Sequence, residues 1–383
     1  MHGFFKNVFE NFAQTTDSTR VSLINSIKRI MNLFYAVLLF LYCLWDNYSI
    51  EYGKIFDITG VFILLLYFLY KSLQRLTIQK SIVQDLTSNH VILLLLSIVV
   101  GIINNPIGSL SVAAGLITYT FFKNIKVKPN VISSIFLVYV ACQLMELLYF
   151  IATNESLNFF PAEYFVEKRN FDGISFFRPV GLFSEANALA TTFFFFGFFF
   201  YLSGLRFLLV LAAACSLISL SVYGVLVCAV LIILFLQIAQ FSLALKISLF
   251  IIISFCLFYF FNTNDIFMYR LLNFDTDAST QARLGLNVFE FNFLPRGIDP
   301  ASASAYGANM FAFLNYSLGI LFLPYIWFLL KSFNFEIGFI LFFSTLMVSY
   351  QMYTTQLFWA MLGIYFSFIE ASKPAKIKIP SNV

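Results

Sequence analysis

Residues 178–203, RPVGLFSEANALATTFFFFGFFFYLS, place charged and polar side chains directly before a long apolar run. Residues 186–203 contain no charge, and an α-helix needs roughly 20 such residues to cross a bilayer. The whole chain of 383 residues is 60% hydrophobic and only 11% charged, whereas soluble domains average about 25% charged residues. The composition therefore excludes a water-soluble fold. We expect an all-α, polytopic integral membrane protein, with a single transmembrane domain over residues 1–383.

Twelve apolar stretches are long enough to be membrane spans. They cover residues 30–46, 56–71, 89–104, 106–122, 131–152, 186–203, 205–220, 222–240, 243–261, 309–330, 335–350 and 353–370. An even number of spans puts both termini on the same side of the membrane. Two connections are long, 153–185 and 262–308, and we expect them to be large outer loops that form the active-site face.

The distribution of basic residues indicates which side is cytoplasmic. With the N-terminus inside, sixteen of the 23 Lys and Arg residues fall in inner segments, as the positive-inside rule requires. Apart from Lys54, the outer exceptions all lie in the two long loops: Lys168, Arg169, Arg178, Arg270, Arg283 and Arg296. Both termini are therefore predicted to be cytoplasmic. The net charge of +4 follows this topology and does not indicate a nucleic-acid partner.

Neither a metal site nor a disulfide framework is indicated. The five cysteines lie in apolar runs without CxxC spacing, and the two histidines, His2 and His90, are far apart. We therefore expect no metal and no cofactor.

Glu146 is the clearest ionisable residue inside a predicted span, and Gln143 precedes it by three residues. A carboxylate is costly in a bilayer, so we expect it to face the bundle interior or a wet cavity. Two interpretations stay open: contact with a proton or a substrate, or a hydrogen-bonded tie between helices.

The arginines of the two long loops are the candidate functional residues. Arg178 precedes Glu185 and Asn187 at the mouth of a span, and the second loop carries Arg270, Arg283 and Arg296. Exposed ion pairs with nearby aspartates are one interpretation. The other is recognition of phosphate, which the planar guanidinium binds through two hydrogen bonds. The confinement of outer arginines to these loops favours phosphate.

The sequence resembles the O-antigen polymerase (Wzy) and O-antigen ligase group of bacterial surface polysaccharide enzymes. The resemblance rests on RPVGLFSEANALA at 178–190, on Ala282-Arg283 followed by Leu294-Pro295-Arg296-Gly297, and on Asn309 ten residues before Gly319. Many relatives have His before that Asn, whereas this chain has Ala308. A histidine-based role is therefore not carried over, and the polymerase is favoured over the ligase.

The resemblance implies glycosyl transfer between two undecaprenyl-diphosphate-linked glycans on the outer face of the inner membrane, during lipopolysaccharide biosynthesis. Arg178 and Arg283 would stabilise the departing diphosphate, and Glu185 would be the general base, although Glu185 fits a helix cap equally well. Substrate binding would involve Arg296, Asn187, Asn309 and Arg270. No nucleotide or metal is required. Membrane lipid surrounds the protein, and a chain-length regulator protein is a conceivable partner.

Two other functions remain open at this point. A ligase would use the same donor and a different acceptor. A twelve-span flippase of polysaccharide or lipid would perform no chemistry and would need charges along a path within the spans, whereas the charges here concentrate in the outer loops.

The predicted topology can be tested with single cysteines. Cysteines introduced at Asp172 and Thr276 should react with an impermeant thiol reagent in intact cells, while Lys126→Cys should react only after permeabilisation. The opposite labelling pattern would reverse the predicted orientation.

Overall fold

The computed structural model describes residues 34–43, seven residues within 92–102, and residues 106–125, 127–155, 157, 169–171, 174–176, 179, 181–183, 186–219, 221–248, 251, 291–297, 309–348 and 355–372. This part of the chain is mainly α-helical, as predicted. A short antiparallel hairpin in the first long loop, β1 (Arg169–Phe171) and β2 (Ile174–Phe176), is an addition that the all-α prediction lacked. The predicted span 56–71 and the predicted site residues Arg178, Glu185, Arg270 and Arg283 lie outside the described residues.

The helices coincide with predicted spans to within about four residues at each end, because apolar runs long enough to cross a bilayer determine where they form. They are α1 (Phe34–Cys43), α2 (Pro106–Asn124), α3 (Pro129–Thr153), α4 (Ala186–Ser203), α5 (Arg206–Ile218), α6 (Val222–Ile238), α7 (Met310–Leu318), α8 (Phe322–Ser332), α9 (Ile337–Met347) and α10 (Gln356–Ser372). A 3₁₀ turn, Gly319–Leu321, joins α7 to α8. Residues within 92–102 and 243–251, parts of two further predicted spans, are also helical.

Within the part of the chain that the structure describes, three helical stretches are long and apolar enough to cross a membrane: Pro129–Thr153, Ala186–Ser203 and Met310–Ser332. The chain is therefore a membrane protein. The number of twelve spans and their sidedness stay predictions.

Helix α4 is the centre of the described bundle. Its apolar window is 78% buried, compared with 33% for α3, and the rings of Phe193–Phe200 are almost completely buried. Phe198 stacks on Phe342 of α9, with ring centroids 4.3 Å apart. Gly197 allows α6 to come close, since a Cβ there would lie 2.5 Å from Leu231. The phenylalanine run thus serves as packed core around α4.

The contacts fix the relative directions of four helices. Tyr201 near the end of α4 contacts Glu336 at the start of α9, so these two helices are antiparallel. Phe195 contacts Phe358 and Phe199 contacts Phe368, so α4 and α10 are parallel. Helix α6 is parallel to α4, because Tyr201 also contacts Gln237 at the end of α6. These directions agree with the order of spans expected from the sequence.

Basic side chains collect at one end of the bundle, which we call the basic end. Lys123 at the end of α2 forms an ion pair of 3.3 Å with Glu370 of α10. Lys128 lies in the turn between α2 and α3, Arg206 is the first residue of α5, and Lys331 lies in the last turn of α8. This end corresponds to the side predicted to be cytoplasmic.

Helices α2 and α10 pack with unusually little space between their backbones. A Cβ on Gly115 would collide with the ring of Trp359, and a Cβ on Gly363 would lie 2.5 Å from the carbonyl oxygen of Tyr119. A buried hydrogen bond of 2.7 Å from Thr118 to Gln356 crosses the same interface. Small residues at close helix crossings are typical of membrane bundles.

Gly115→Ala should therefore destabilise the protein, by about 1–3 kcal/mol, because the added methyl group overpacks the Trp359 ring. Thermal unfolding in detergent measures the effect. In a Trp359→Ala background, which removes the ring, the same substitution should cause no further loss. Equal stability of Gly115→Ala and the original protein would contradict the packing described for α2 and α10.

Candidate functional site

Two polar side chains of α3 hold the segment that follows Arg178, which we call the 179–183 segment. Glu146 accepts a hydrogen bond from the backbone N–H of Gly181. The Nε2 group of Gln143 donates to the carbonyl oxygen of Pro179 at 3.4 Å. Both side chains are almost completely buried. The interpretation of Glu146 as a hydrogen-bonded tie is therefore supported, but the tie joins a helix to a loop.

The backbone conformation at Gly181 makes this contact possible. Its φ is +60°, in the left-handed region, and a Cβ there would lie 3.0 Å from the backbone nitrogen of Gln143. Any other residue would face both backbone strain and crowding against α3. The left-handed conformation and the close approach to α3 thus explain why the 178–190 motif has glycine at position 181.

The 179–183 segment contacts α3 well before the C-terminal end of that helix. Glu146 is seven residues before the last residue of α3, Thr153, which corresponds to about 10 Å along the helix axis. Phe183 contacts α3 nearer to the start of that helix, where its ring centroid lies 5.3 Å from that of Tyr139. Tyr139, Gln143 and Glu146 occupy one face of α3, since they are four and three residues apart.

A second polar element meets the same face. The Nε2 group of Gln143 also donates to the carbonyl oxygen of Cys215, at 3.0 Å, near the end of α5. Helix α5 has only 13 residues, about 20 Å, so it ends well short of a bilayer width of about 30 Å. Ser219 and Ser221, both buried, form the turn that follows, and Ser221 caps α6 by accepting from Gly224. A polar cluster therefore forms within the apolar bundle.

A second non-helical segment, residues 291–297, lies against a break in a helix. Helix α7 ends at Leu318 because Gly319 adopts φ +54° and ψ −134°. The carbonyl groups freed by this break accept hydrogen bonds from the segment: Tyr316 from the N–H of Arg296 at 3.4 Å, and Ser317 from the N–H of Gly297 at 3.1 Å. In return the N–H of Ile320 donates to the carbonyl oxygen of Phe293 at 3.0 Å.

The break bends the chain. Phe311 and Phe322 lie on opposite sides of it, and their ring centroids are 5.1 Å apart. Eleven residues of straight helix would separate them by about 16 Å along the axis, so α7 and α8 must incline toward each other. A Cβ on Gly319 would lie 2.5 Å from the carbonyl carbon of Leu294, which explains why the close approach of the segment requires glycine here.

Arg296 is the predicted site arginine that the structure describes. Its side chain is exposed, and its Cζ atom lies 5.4 Å from the ring centroid of Tyr316. This cation–π contact orients the planar guanidinium. Asn292 lies on the same segment, and its N–H donates to Oδ1 of Asn315 at 3.2 Å. Asn292, Asn315 and Tyr316 were missed by the sequence analysis, because their neighbours are distant in sequence.

The two predicted asparagines have different environments. Asn187 is half-buried in the first turn of α4, where its carbonyl oxygen accepts from Thr191. Asn309 is completely buried, and its Oδ1 accepts from the N–H of Ala312 at 2.7 Å, so it is the N-cap of α7. This cap gives Asn309 a structural role. Substrate binding by either residue stays a prediction.

Within the described residues, no group of three or more His, Cys, Asp or Glu side chains is arranged to hold a metal ion. The chain shows no match to any protein-family model, curated protein or solved structure. The described residues alone define the class: this is a helical membrane protein in which two non-helical segments are held against the spans.

Substitutions of Asn309 can distinguish a structural role of this residue from a role in substrate binding. Asn309→Ala should lower the free energy of unfolding by about 1 kcal/mol, because the first turn of α7 loses its side-chain acceptor. Asn309→Ser retains a capping oxygen, so it should retain both the stability measured by thermal unfolding and the activity. Loss of activity in Asn309→Ser at unchanged stability would show that the amide itself binds substrate.

Proposed function

We propose that this protein is a membrane glycosyltransferase that joins undecaprenyl-diphosphate-linked oligosaccharide repeat units on the outer face of the bacterial inner membrane. The twelve-span topology with cytoplasmic termini belongs to the proposal. The basic end, with Lys123, Lys128, Arg206 and Lys331, supports the orientation, since such residues favour the cytoplasmic side.

The observation that carries the proposal is the depth of the 179–183 segment. Helix α3 has 25 residues and is about 37 Å long, so it exceeds a hydrocarbon core of about 30 Å by a few ångströms at each end. A contact about 10 Å below its end therefore lies roughly 7 Å inside the hydrocarbon core, so the 179–183 segment enters the membrane from its outer boundary. The diphosphate of a polyprenyl carrier would lie at that boundary, close to where this segment enters. Arg178 directly precedes this segment in sequence, which suits a contact with the diphosphate.

The chemistry needs no other activated group. A hydroxyl oxygen of the acceptor glycan forms a bond to the anomeric carbon of the donor, and the bond from that carbon to the diphosphate oxygen breaks. Negative charge then develops on the leaving polyprenyl diphosphate. Fixed arginine donors, Arg178 and Arg283, would stabilise that charge more in the transition state than in the ground state. The hydroxyl proton would pass to Glu185 as general base.

Arg296 and Tyr316 support a second contact with substrate. The guanidinium is exposed and is oriented by the aromatic ring. It belongs to an extended segment, whose backbone is fixed by hydrogen bonds to the carbonyls of the broken helix. An exposed guanidinium oriented in this way suits binding of either phosphate or sugar hydroxyls. Arg270, Asn187 and Asn309 remain candidates for the same role.

The purified protein tests the proposal directly. With a lipid-diphosphate-linked repeat unit as both donor and acceptor, it should produce oligomers in excess EDTA with no nucleotide present. In cells, loss of a polymerase should leave surface glycan with a single repeat, whereas loss of a ligase would leave finished polymer on its carrier and loss of a flippase would leave single units inside. Dependence on added metal would contradict the arginine mechanism.

Arg178→Ala should lower the elongation rate by about 10²–10³-fold, because the departing diphosphate loses a charged donor. Arg178→Lys should recover only part of the rate, since one ammonium cannot form the two-pronged contact. Arg206→Ala, an exposed arginine at the basic end, is the matched control and should elongate normally. Normal oligomer length with Arg178→Ala at equal protein level would favour the interpretation of exposed ion pairs.

A further inference from the structure

We infer that Gln143 and Glu146 are positioning residues that set the depth and orientation of the 179–183 segment, and through it the reacting groups on either side. This inference rests on the proposed function. Arg178 is joined directly to Pro179, and Glu185 follows Gly181 by four residues. The place where α3 holds this short segment therefore limits where both side chains can reach.

The contact of Glu146 with a loop residue points to a positioning role. Glu146 is the one charged side chain among the buried residues that the structure describes, and it is 3% exposed. It accepts a hydrogen bond from the N–H of Gly181, a loop residue. A carboxylate in this environment is costly. Here it supplies the acceptor that water would supply to a loop outside the membrane, as non-helical backbone at this depth requires.

Gln143 fixes the segment against a second element. Its Nε2 group bonds to the carbonyl oxygens of both Pro179 and Cys215, so one amide joins α3, the segment and the end of α5. Its Oε1 atom is buried without a hydrogen-bond partner among the described residues. An unpaired buried amide oxygen costs free energy, so packing alone does not account for glutamine at this position.

Because Gly181 lies so close to α3, the position of the 179–183 segment is sensitive to small changes. The segment approaches α3 so closely that a Cβ would lie 3.0 Å from the backbone of Gln143. Loss of the Glu146 acceptor would leave the N–H of Gly181 unpaired and would favour movement of the segment toward water. A displacement of about 1 Å at reacting groups can lower a rate by about 10²-fold.

The test compares Glu146→Leu, which removes the acceptor at similar size, with Glu146→Gln, which retains an acceptor oxygen. We expect kcat for elongation to fall by about 10–100-fold in Glu146→Leu, with KM for the lipid-linked unit changed by less than about threefold. Glu146→Gln should recover much of kcat. Gly181→Ala should resemble Glu146→Leu, and the double variant should be no worse than either single variant, because both disturb one contact.

Two controls accompany these variants. Met145→Leu changes a neighbouring residue of α3 that is 54% exposed, so it should retain normal kcat. Glu336→Gln alters a carboxylate at the basic end that accepts from Tyr201, and it should also retain normal kcat. Thermal unfolding in detergent checks that each variant is folded.

A second measurement reads the position of the segment without relying on activity. Leu182→Cys, in a protein whose native cysteines are replaced by alanine, should react slowly with an impermeant maleimide because the side chain is half-buried. Adding Glu146→Leu should raise that rate several-fold, and Glu146→Gln should raise it less.

The outcomes separate the two proposals. If the original protein does not elongate the repeat unit, the proposed function fails, while the maleimide rates still decide whether Glu146 holds the segment. If elongation occurs and Glu146→Leu retains normal kcat, the positioning role is overturned. A loss of kcat with unchanged maleimide reactivity would also overturn it, because Glu146 would then act on substrate directly.

Discussion

Backbone N–H and C=O groups inside an apolar bundle need partners within the protein, and this constraint governs both non-helical segments described here. The two segments satisfy it in different ways. The 179–183 segment uses side chains, since Glu146 and Gln143 take the place of water. The 291–297 segment uses backbone, since it bonds to carbonyls that the break at Gly319 leaves free. Each solution fixes the depth of its segment relative to the spans.

Helix packing makes these two solutions possible. Helix α4 is surrounded by aromatic rings, whereas α3 is mostly exposed along its outer half, where Leu148 and Ile151 are 64% and 70% exposed. One face of α3 thus meets the lipid region, while the opposite face carries Tyr139, Gln143 and Glu146 against the 179–183 segment. A helix at the edge of the bundle can offer polar groups to a loop without opening the core around α4.

The sequence predicted helix positions well and tertiary partners poorly, for a physical reason. Hydropathy reports the length of an apolar run, and the ends of α3 and α4 follow from it closely. Because a carboxylate is costly inside a membrane, the sequence also indicated correctly that Glu146 needs a partner within the protein. Its partner, Gly181, is 35 residues away, and no local periodicity encodes such a contact. The break at Gly319 was likewise hidden, because the groups that compensate it come from Phe293, Arg296 and Gly297.

The distribution of charge also bears on the choice between transfer chemistry and transport. A transporter that moves a charged or highly polar substrate needs polar groups along a path through its spans. In the described residues most buried polar side chains are serine or threonine, and several of their hydroxyls bond to a carbonyl of their own helix, as Thr120 does to Leu116. The one buried carboxylate, Glu146, is bonded to a loop near one end of α3. Among the described residues, Gln143, Glu146 and Asn315 lie where the non-helical segments meet the spans, and Thr118 and Gln356 form a separate polar contact between α2 and α10. Under the proposed function, a lipid-anchored substrate would bring its reacting bond to the membrane boundary, so a polar route across the bilayer would not be needed, and this agrees with the low charge content of the chain.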